Sequence, residues 1–277
     1  MSVGRNRARY WRDGARPLEA MHAEFHDHVY SRHSHDTYSF GITDEGAQSF
    51  RCRGADHTSA AGMVMAFNPD EVHDGRAAVE LGYHYRIVHI GPSVVSDILA
   101  DASDGRSGAL PLFLRPVLTD PLLTAVLARL HATLLGPSSA LDREELLTAA
   151  VLAMAERGAT RTPLLRSLAG AGQRRAARRA RALLDEALLD PVSAQQLATA
   201  AGCSRFALYR AFRAEYGMAP SDYQRLLRLR RARALLSSGM APADAAAASG
   251  FSDQPHFNRW FKRTYGITPG TYQRSAG

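Results

Sequence analysis

The last third of the chain contains one pattern written twice. From Leu197 to Tyr223 it reads LATAAGCSRFALYRAFRAEYGMAPSDY, and from Ala245 to Tyr272 it reads AAAASGFSDQPHFNRWFKRTYGITPGTY. Gly202 and Gly250 are 48 residues apart, whereas Phe212 and Phe261, Gly217 and Gly266, Pro220 and Pro269, and Tyr223 and Tyr272 are each 49 apart. A repeat of this length requires two similar supersecondary units, with one extra residue in the turn or helix of the second copy.

Each copy has the grammar of a helix-turn-helix. An Ala-rich helix ends at a Gly, where positive φ costs little. An apolar residue follows (Cys203 or Phe251), then Ser204 or Ser252, whose hydroxyl can cap a second helix. Leu208 and Phe212 in the first copy, and Phe257 and Phe261 in the second, are four apart and turn inward. The opposite face then carries Arg205, Phe206, Tyr209 and Arg210, or Gln254, Pro255, Asn258 and Arg259. A helix lying in a major groove needs such a face, since Arg can pair bidentately with guanine and Gln or Asn with adenine. Arg210 and Arg259 occupy equivalent positions and lead the candidates for double-stranded DNA contact. Arg205, Phe206, Tyr209, Gln254 and Asn258 follow. Phe206 and Tyr209 suit thymine methyls or sugar, or alternatively packing on the neighbouring helix. Trp260 reads as core.

Charge separates the two halves. Residues 173–277 hold 17 Arg and Lys against 7 Asp and Glu, while the preceding 172 hold 17 against 20. The basic excess therefore accompanies the repeat, as expected for a part that meets phosphates. A helix resuming near Gln173 carries Arg174, Arg175, Arg178, Arg179 and Arg181. Arg178 is taken as a backbone-phosphate contact, with a solvated face as the alternative. Between the copies, a helix of about 17 residues beginning near Ser221 would span ~25 Å. It would hold two reading heads near the ~34 Å spacing of successive major-groove faces.

The first half reads differently. SFGIT (39–43), AQSFRC (47–52), MVMAF (63–67) and YHYRIVHI (83–90) are expected strands. They are separated by Asp44-Glu45-Gly46, Arg53-Gly54-Ala55, Asn68-Pro69-Asp70 and Asp74-Gly75, which suggests a small antiparallel barrel or sandwich. Residues 1–20 are expected to be loose. Helices are expected at 93–101, at 120–135 with an apolar stripe from Leu123 to Leu134, and at 141–157 with Asp142 as cap and Glu145 three residues on. The two longer helices could cover the barrel or pair with a second chain. A Gly-, Ala- and Thr-rich stretch, 158–172, reads as a linker. Cys52 and Cys203 offer neither a disulfide framework nor zinc spacing. No apolar run is long enough to cross a membrane, and no secretory h-region is present, so a cytoplasmic protein is expected.

The second copy resembles the signature of the AraC/XylS family of bacterial transcription regulators. The matching residues are Ala246, Gly250-Phe251-Ser252-Asp253-Gln254, His256-Phe257-Asn258-Arg259, Phe261-Lys262, Tyr265-Gly266 and Thr268-Pro269 to Tyr272, with Arg228 and Ala232 on the linking helix. Ala245 departs from a common Ile, and Pro255 from a usual polar residue. The first half is similar to the cupin-type sensor domain of that family, through His33-Ser34-His35, Tyr38 and Asn68-Pro69-Asp70-Glu71-Val72-His73. The resemblance implies an α+β two-domain chain. Residues 1–157 would form a cupin-like β-barrel sensor with a helical dimerisation region at about 120–157, and residues 173–277 an all-α double helix-turn-helix. It further implies a homodimer near the nucleoid, an unidentified small-molecule effector held in the barrel, and recruitment of RNA polymerase as an activator.

His33, His35, Tyr38, Phe67, His73 and Tyr85 are the candidate effector-pocket residues. An HxH pair on one strand points both imidazoles to the same side, and a third His could close a facial metal site. The usual cupin Glu is absent, however, with Ser39 at its place, so neither a metal at His33, His35 and His73 nor any other cofactor is expected. Two alternatives stay open. One is a metal-dependent cupin enzyme fused to a DNA-binding tail. The other is a constitutive DNA binder whose barrel only dimerises.

Overall fold

The computed structural model describes residues 6–103, 109–160 and 170–275. They divide into two compact units, Met1–Gly136 with Leu146–Arg166, and Pro137–Glu145 with Ser167–Gly277. The expected linker, 158–172, lies largely outside the described residues.

The first unit is built on β1 (Arg7–Arg12), β2 (Leu18–Phe25), β3 (Tyr30–His33), β4 (Tyr38–Cys52), β5 (Ala55–Ala60), β6 (Val64–Phe67), β7 (His73–Ala77), β8 (Tyr83–Ile90) and β9 (Val117–Leu118). The main path runs β1-β2-β8-β4-β6-β9, and β7 joins β3 to β4 while β5 also pairs with β4. Strand β4 is shared between the two sides. Its first half, from Tyr38, pairs with β6 and β8, and its second half, to Cys52, pairs with β5 and β7.

The expected turn at Asp44-Glu45-Gly46 is instead a bulge inside this one long strand, with a register shift between Thr43 and Glu45. Bulges let a strand bend from one sheet to another without ending. Gly46 makes the bend possible. Its φ is +69°, and a Cβ there would stand 2.1 Å from the Gly82 carbonyl oxygen. Asp74-Gly75, also read as a separator, lies within β7. Residues 7–12, expected to be loose, form an edge strand. Their mostly exposed side chains, RARYWR, show no clear alternation, and the order comes from the ladder to β2.

Alternation along the strands sorts the side chains. Met21, Ala23, Phe25, Phe50, Cys52, Met65, Phe67, Tyr83, Tyr85 and Ile87 form one core between the two sides. On the other face of β4, Tyr38 and Phe40 pack on Phe113. After α1 (Pro92–Ala102), helix α2 (Pro121–Leu135) is capped by Asp120, whose side chain accepts from the Leu122 and Leu123 amides. Its stripe of Leu123, Leu127, Leu130 and Leu134 is buried within the chain, and His131 Nε2 donates to the Met21 carbonyl at 3.0 Å. The apolar stripe of α2 is thus spent on covering the sheet.

Helix α3 (Ala140–Arg157) starts one residue before the expected 141, but its cap lies three residues before the expected Asp142. Ser139 is the cap. Its hydroxyl accepts from the Asp142 amide at 3.0 Å, and the Asp142 carboxylate accepts from the Ser139 amide at 3.2 Å. This is a reciprocal capping box, which leaves Glu145 free for another partner.

The second unit continues with α4 (Gly170–Glu186), α5 (Ala194–Ala201), α6 (Arg205–Tyr216), α7 (Pro220–Ser237), α8 (Pro242–Ala248), α9 (Gln254–Tyr265) and α10 (Pro269–Ser275). Two cores hold it. The first gathers Ala177, Ala180, Leu184, Leu197, Leu208, Phe212 and Tyr223. The second gathers Leu229, Ala232, Leu236, Ala245, Phe257 and Phe261. Helix α7 gives Tyr223 to one and Leu229, Ala232 and Leu236 to the other, so a single rod of ~27 Å fixes both copies of the repeat. Ala245, smaller than the common Ile, is nevertheless fully buried. Phe212, Phe257 and Phe261 have no exposed surface, and truncating any of them would cost about 3–5 kcal/mol.

Candidate nucleic-acid interface and barrel site

The two copies differ by one residue, and the structure places it in the turn. In the first, Gly202 (φ +70°) ends α5, and Ser204 caps α6 by accepting from the Ala207 amide. In the second, Gly250 (φ +79°) is followed by Phe251, Ser252 and then Asp253, which accepts from the His256 amide at 2.6 Å. The cap of α9 is therefore Asp253 rather than Ser252, which donates its hydroxyl to the Asp253 carboxylate. The hydrogen bond from the His256 amide lowers the Asp253 pKa. From the cap onward the offset is 49 throughout, so Arg205 matches Gln254, Tyr209 matches Asn258 and Arg210 matches Arg259.

The inward face of each second helix is spent on the cores just described. The outward face is open. Arg210, Gln254, Pro255 and Arg259 are exposed, and Arg205, Tyr209 and Asn258 are partly so. Phe206 departs from its companions. It is 7% exposed, and the Arg210 guanidinium lies 5.4 Å over its ring, so Phe206 shelves an arginine rather than standing free for a thymine. Trp260 is half-buried, donates Nε1–H to His256 Nε2 at 2.7 Å, and carries the Arg225 guanidinium 3.9 Å above its ring. Arg178 is exposed on α4, 3.9 Å from Glu215.

Arg228, matched on the linking helix, braces the second turn. Arg228 donates Nη1–H to the Gly250 carbonyl at 3.1 Å and Nε–H to the Leu188 carbonyl at 3.2 Å. Arg179, 49 residues earlier, stands beside Gly202. The signal was present as one more pair at the 49-residue offset, beside the four named at the outset.

In the barrel unit the histidines converge. His33 opposes His73 across the β3–β7 ladder. The His33, His35 and His73 rings lie 4.6–5.5 Å apart by centroid. His89 flanks His35 at 4.5 Å, with its Nδ1 2.8 Å from the Ser39 hydroxyl. Phe67 stacks flat on His73 at 4.1 Å. Burial, reinforced by the neighbouring imidazoles, pushes the His35 and His89 pKa values down to about 4, so both rings are neutral near pH 7. Tyr85 shares the interior and lies 2.8 Å from the Tyr30 hydroxyl. Tyr38 does not join them. It points to the opposite face of β4, where its hydroxyl donates to the Pro111 carbonyl, and burial raises its pKa to about 12. The reason is parity, since Ser39 rather than Tyr38 faces the histidines.

Comparison with known proteins matches both units in order. Residues 17–151 fit an AraC-like ligand binding domain, and residues 197–275 fit a helix-turn-helix domain. The chain belongs to the AraC family of transcription regulators. It is similar to an uncharacterized HTH-type transcriptional regulator, YbfI, of Bacillus subtilis (strain 168), at 29% identity over 227 residues, covering 82% of this chain and 81% of that one. It is also similar to the HTH-type transcriptional regulator GlxA of Rhizobium meliloti (strain 1021), at 38% identity over 95 residues, covering 34% of this chain and 29% of that one. A solved AraC-type transcriptional regulator from Chromobacterium violaceum shares 32% identity, covering 39% of this chain and 97% of that one, with a TM-score of 0.36. This AraC-family chain is accordingly a ligand-responsive DNA-binding regulator and not an enzyme. Among the described residues no helix is long and apolar enough to cross a membrane.

Proposed function

We propose that this regulator reads two adjacent major-groove segments of its operator, one with α6 and one with α9, without needing a second chain to supply the second head. One observation carries the reading. After the one-residue offset is absorbed in the turn, Arg210 and Arg259 occupy the same place on two capped, solvent-facing helices tied to one rod. Arg205, Tyr209, Gln254 and Asn258 flank them and supply further base contacts. Arg178 meets the backbone. Phe206 acts through Arg210.

The effector is a small molecule taken up among the barrel histidines with Phe67 and Tyr85, and its binding changes how firmly the helical unit holds DNA. The chain acts in the cytoplasm at the nucleoid, as an activator that recruits RNA polymerase. A homodimer formed through residues 120–157 would use the outer faces of α2 and α3, because the α2 leucine stripe is already buried. Footprinting on the intergenic DNA beside its own gene tests the reading. Two protected patches about one helical turn apart are expected with purified protein. A single patch, or protection unchanged in the Arg210→Ala, Arg259→Ala double variant, would refute it.

A further inference from the structure

We propose that His33, His35 and His73 form a binding site for one divalent transition metal ion, of the kind that favours nitrogen donors, with Zn2+ as the best fit. One ring nitrogen from each of the three lies within 4.8 Å of the other two. A zinc ion with ~2.0–2.1 Å bonds to nitrogen holds tetrahedral ligands ~3.3 Å apart. Closing the remaining gap takes about 1.5 Å at most, within reach of small rotations by His33 and His35, which are only partly buried. His73, by contrast, is buried and clamped flat against Phe67, so it forms the fixed point of the site.

The hydrogen bonds around the rings select the donor atoms. His33 Nδ1 lies 2.7 Å from the Ser31 carbonyl, and His73 Nδ1 lies 2.8 Å from the Glu71 carbonyl. A carbonyl oxygen can only accept, so in each neutral ring Nδ1 carries the proton and Nε2 carries the lone pair. A carbonyl on the far nitrogen is also the arrangement that orients metal-bound histidines and raises their basicity. Among the described residues the His35 ring has no hydrogen-bond partner, only the rings of His33, His73 and His89 around it. Its nitrogens are therefore uncommitted. Three rings from two backbone segments, the end of β3 with the residues after it and the start of β7, thus each keep a nitrogen available to an ion.

The donor set decides the class of ion. Among the described residues no carboxylate belongs to the cluster, and Ser39, the place for a fourth oxygen ligand, is engaged with His89. Imidazoles alone suit Zn2+, Ni2+ or Cu2+, whereas Mg2+, Ca2+ and Mn2+ want oxygen. The half-exposed side of His33 and His35 gives an ion a way in and leaves at least one coordination position open.

The test uses full-length, untagged protein stripped with chelator and dialysed. Zn2+ is titrated against a chromophoric competitor, and Co2+ is titrated in parallel for its visible absorption. One Zn2+ per chain is expected, with a low-symmetry Co2+ band. The His33→Ala and His35→Ala variants, each confirmed folded by circular dichroism, should weaken Zn2+ binding at least 100-fold. The His26→Ala variant, altered outside the cluster, should bind as wild type does. Less than a tenth of an equivalent bound, binding unchanged in the His33→Ala, His35→Ala double variant, or Mn2+ bound as tightly as Zn2+ would overturn the assignment. None of these results depends on DNA binding.

Discussion

Glu145 accepts two hydrogen bonds from Ser221, one from the backbone amide at 3.0 Å and one from the hydroxyl at 2.6 Å. Ser221 sits in the first turn of α7, whose cap position, Ala219, offers no side-chain acceptor. A carboxyl from outside the helix therefore satisfies an amide that the helix cannot. The environment is costly for charge. Burial raises the Glu145 pKa to about 8, against the lowering effect of the two Ser221 hydrogen bonds.

The pH dependence follows from that shift. A carboxyl whose folded pKa lies above its unfolded value binds more protons when folded. Its contribution is fully present below the unfolded pKa of 4.5 and is lost as pH rises through about 8. Between pH 5 and 8 the Glu145 contribution to helical-unit stability should fall by an amount on the order of a few kcal/mol. Glu145→Gln keeps an acceptor for the Ser221 amide and adds a donor for its hydroxyl. It should flatten this part of the profile and raise stability at pH 8. Urea unfolding at pH 5, 6.5 and 8 measures both. Parallel profiles for wild type and variant would defeat the assignment.

Arg228 is the clearest test of the brace on the second turn. Burial lowers its pKa, and its guanidinium serves the Gly250 and Leu188 carbonyls. Arg228→Ala should cost about 1–3 kcal/mol, because two carbonyls lose a charged donor. Arg231→Ala removes a similar bond, Nε–H to the Ala248 carbonyl at 2.9 Å, but from an exposed site. There water can replace the donor, and the loss should stay within about 0.5 kcal/mol. Equal losses in chemical denaturation would show that the contact to Gly250 has no special weight.

The cap of α9 separates two readings of the same letters. Asp253→Ala should cost about 0.5–2 kcal/mol, while Ser252→Ala, which removes only a hydrogen bond to the cap itself, should cost a few tenths. Thermal melts of the two variants rank them. The reverse order would restore Ser252 as the cap.

These cases show what was legible and why. The double helix-turn-helix could be read because it is written twice, and inward Phe residues repeat at one offset. The cap of α9 was misplaced because Ser252 and Asp253 are both good caps. The discriminating clue was the step from 48 at the glycines to 49 at Leu208 and Phe257, which confines the extra residue to the turn. Ser139 and Asp142 each begin a capping-box spelling, Ser139-x-x-Asp142 and Asp142-x-x-Glu145. Only the burial of Glu145 against a residue 76 positions away decides between them, and such a contact leaves no local trace. In the barrel, β4 was split at Asp44-Glu45-Gly46 because a bulge and a turn use the same residues. The histidine cluster depends on strand register, and Tyr38 fell on the other face by one step of it.

Gly46 allows a sharp test of that bulge. A methyl group there would sit 2.1 Å from the Gly82 oxygen at a φ of +69°. Gly46→Ala should destabilise the barrel by at least about 2 kcal/mol, combining overpacking against backbone with left-handed strain. Gly54 has φ +80° but nothing within 4 Å of a built Cβ. Gly54→Ala should cost only the conformational strain, about 1–2 kcal/mol. Calorimetry of the two variants should show the larger drop for Gly46. A smaller drop there would mean that the strand bends by other means.

The assignment of the reading heads divides into base and backbone effects. Arg210→Ala or Arg259→Ala should each lose about 1–3 kcal/mol on the cognate site and relax one base position. Because the guanidinium of Arg210 rests over Phe206, Phe206→Ala should reproduce part of the Arg210→Ala loss, and the double variant should lose less than the sum. Arg178→Ala should weaken all sequences alike and lower the slope of log affinity against log salt by about 1, as expected for one phosphate contact. Gel-shift titrations on cognate and scrambled duplexes at two salt concentrations separate these outcomes. If Arg178→Ala altered base preference while Arg210→Ala changed only the salt slope, the roles given to α4 and α6 would be reversed.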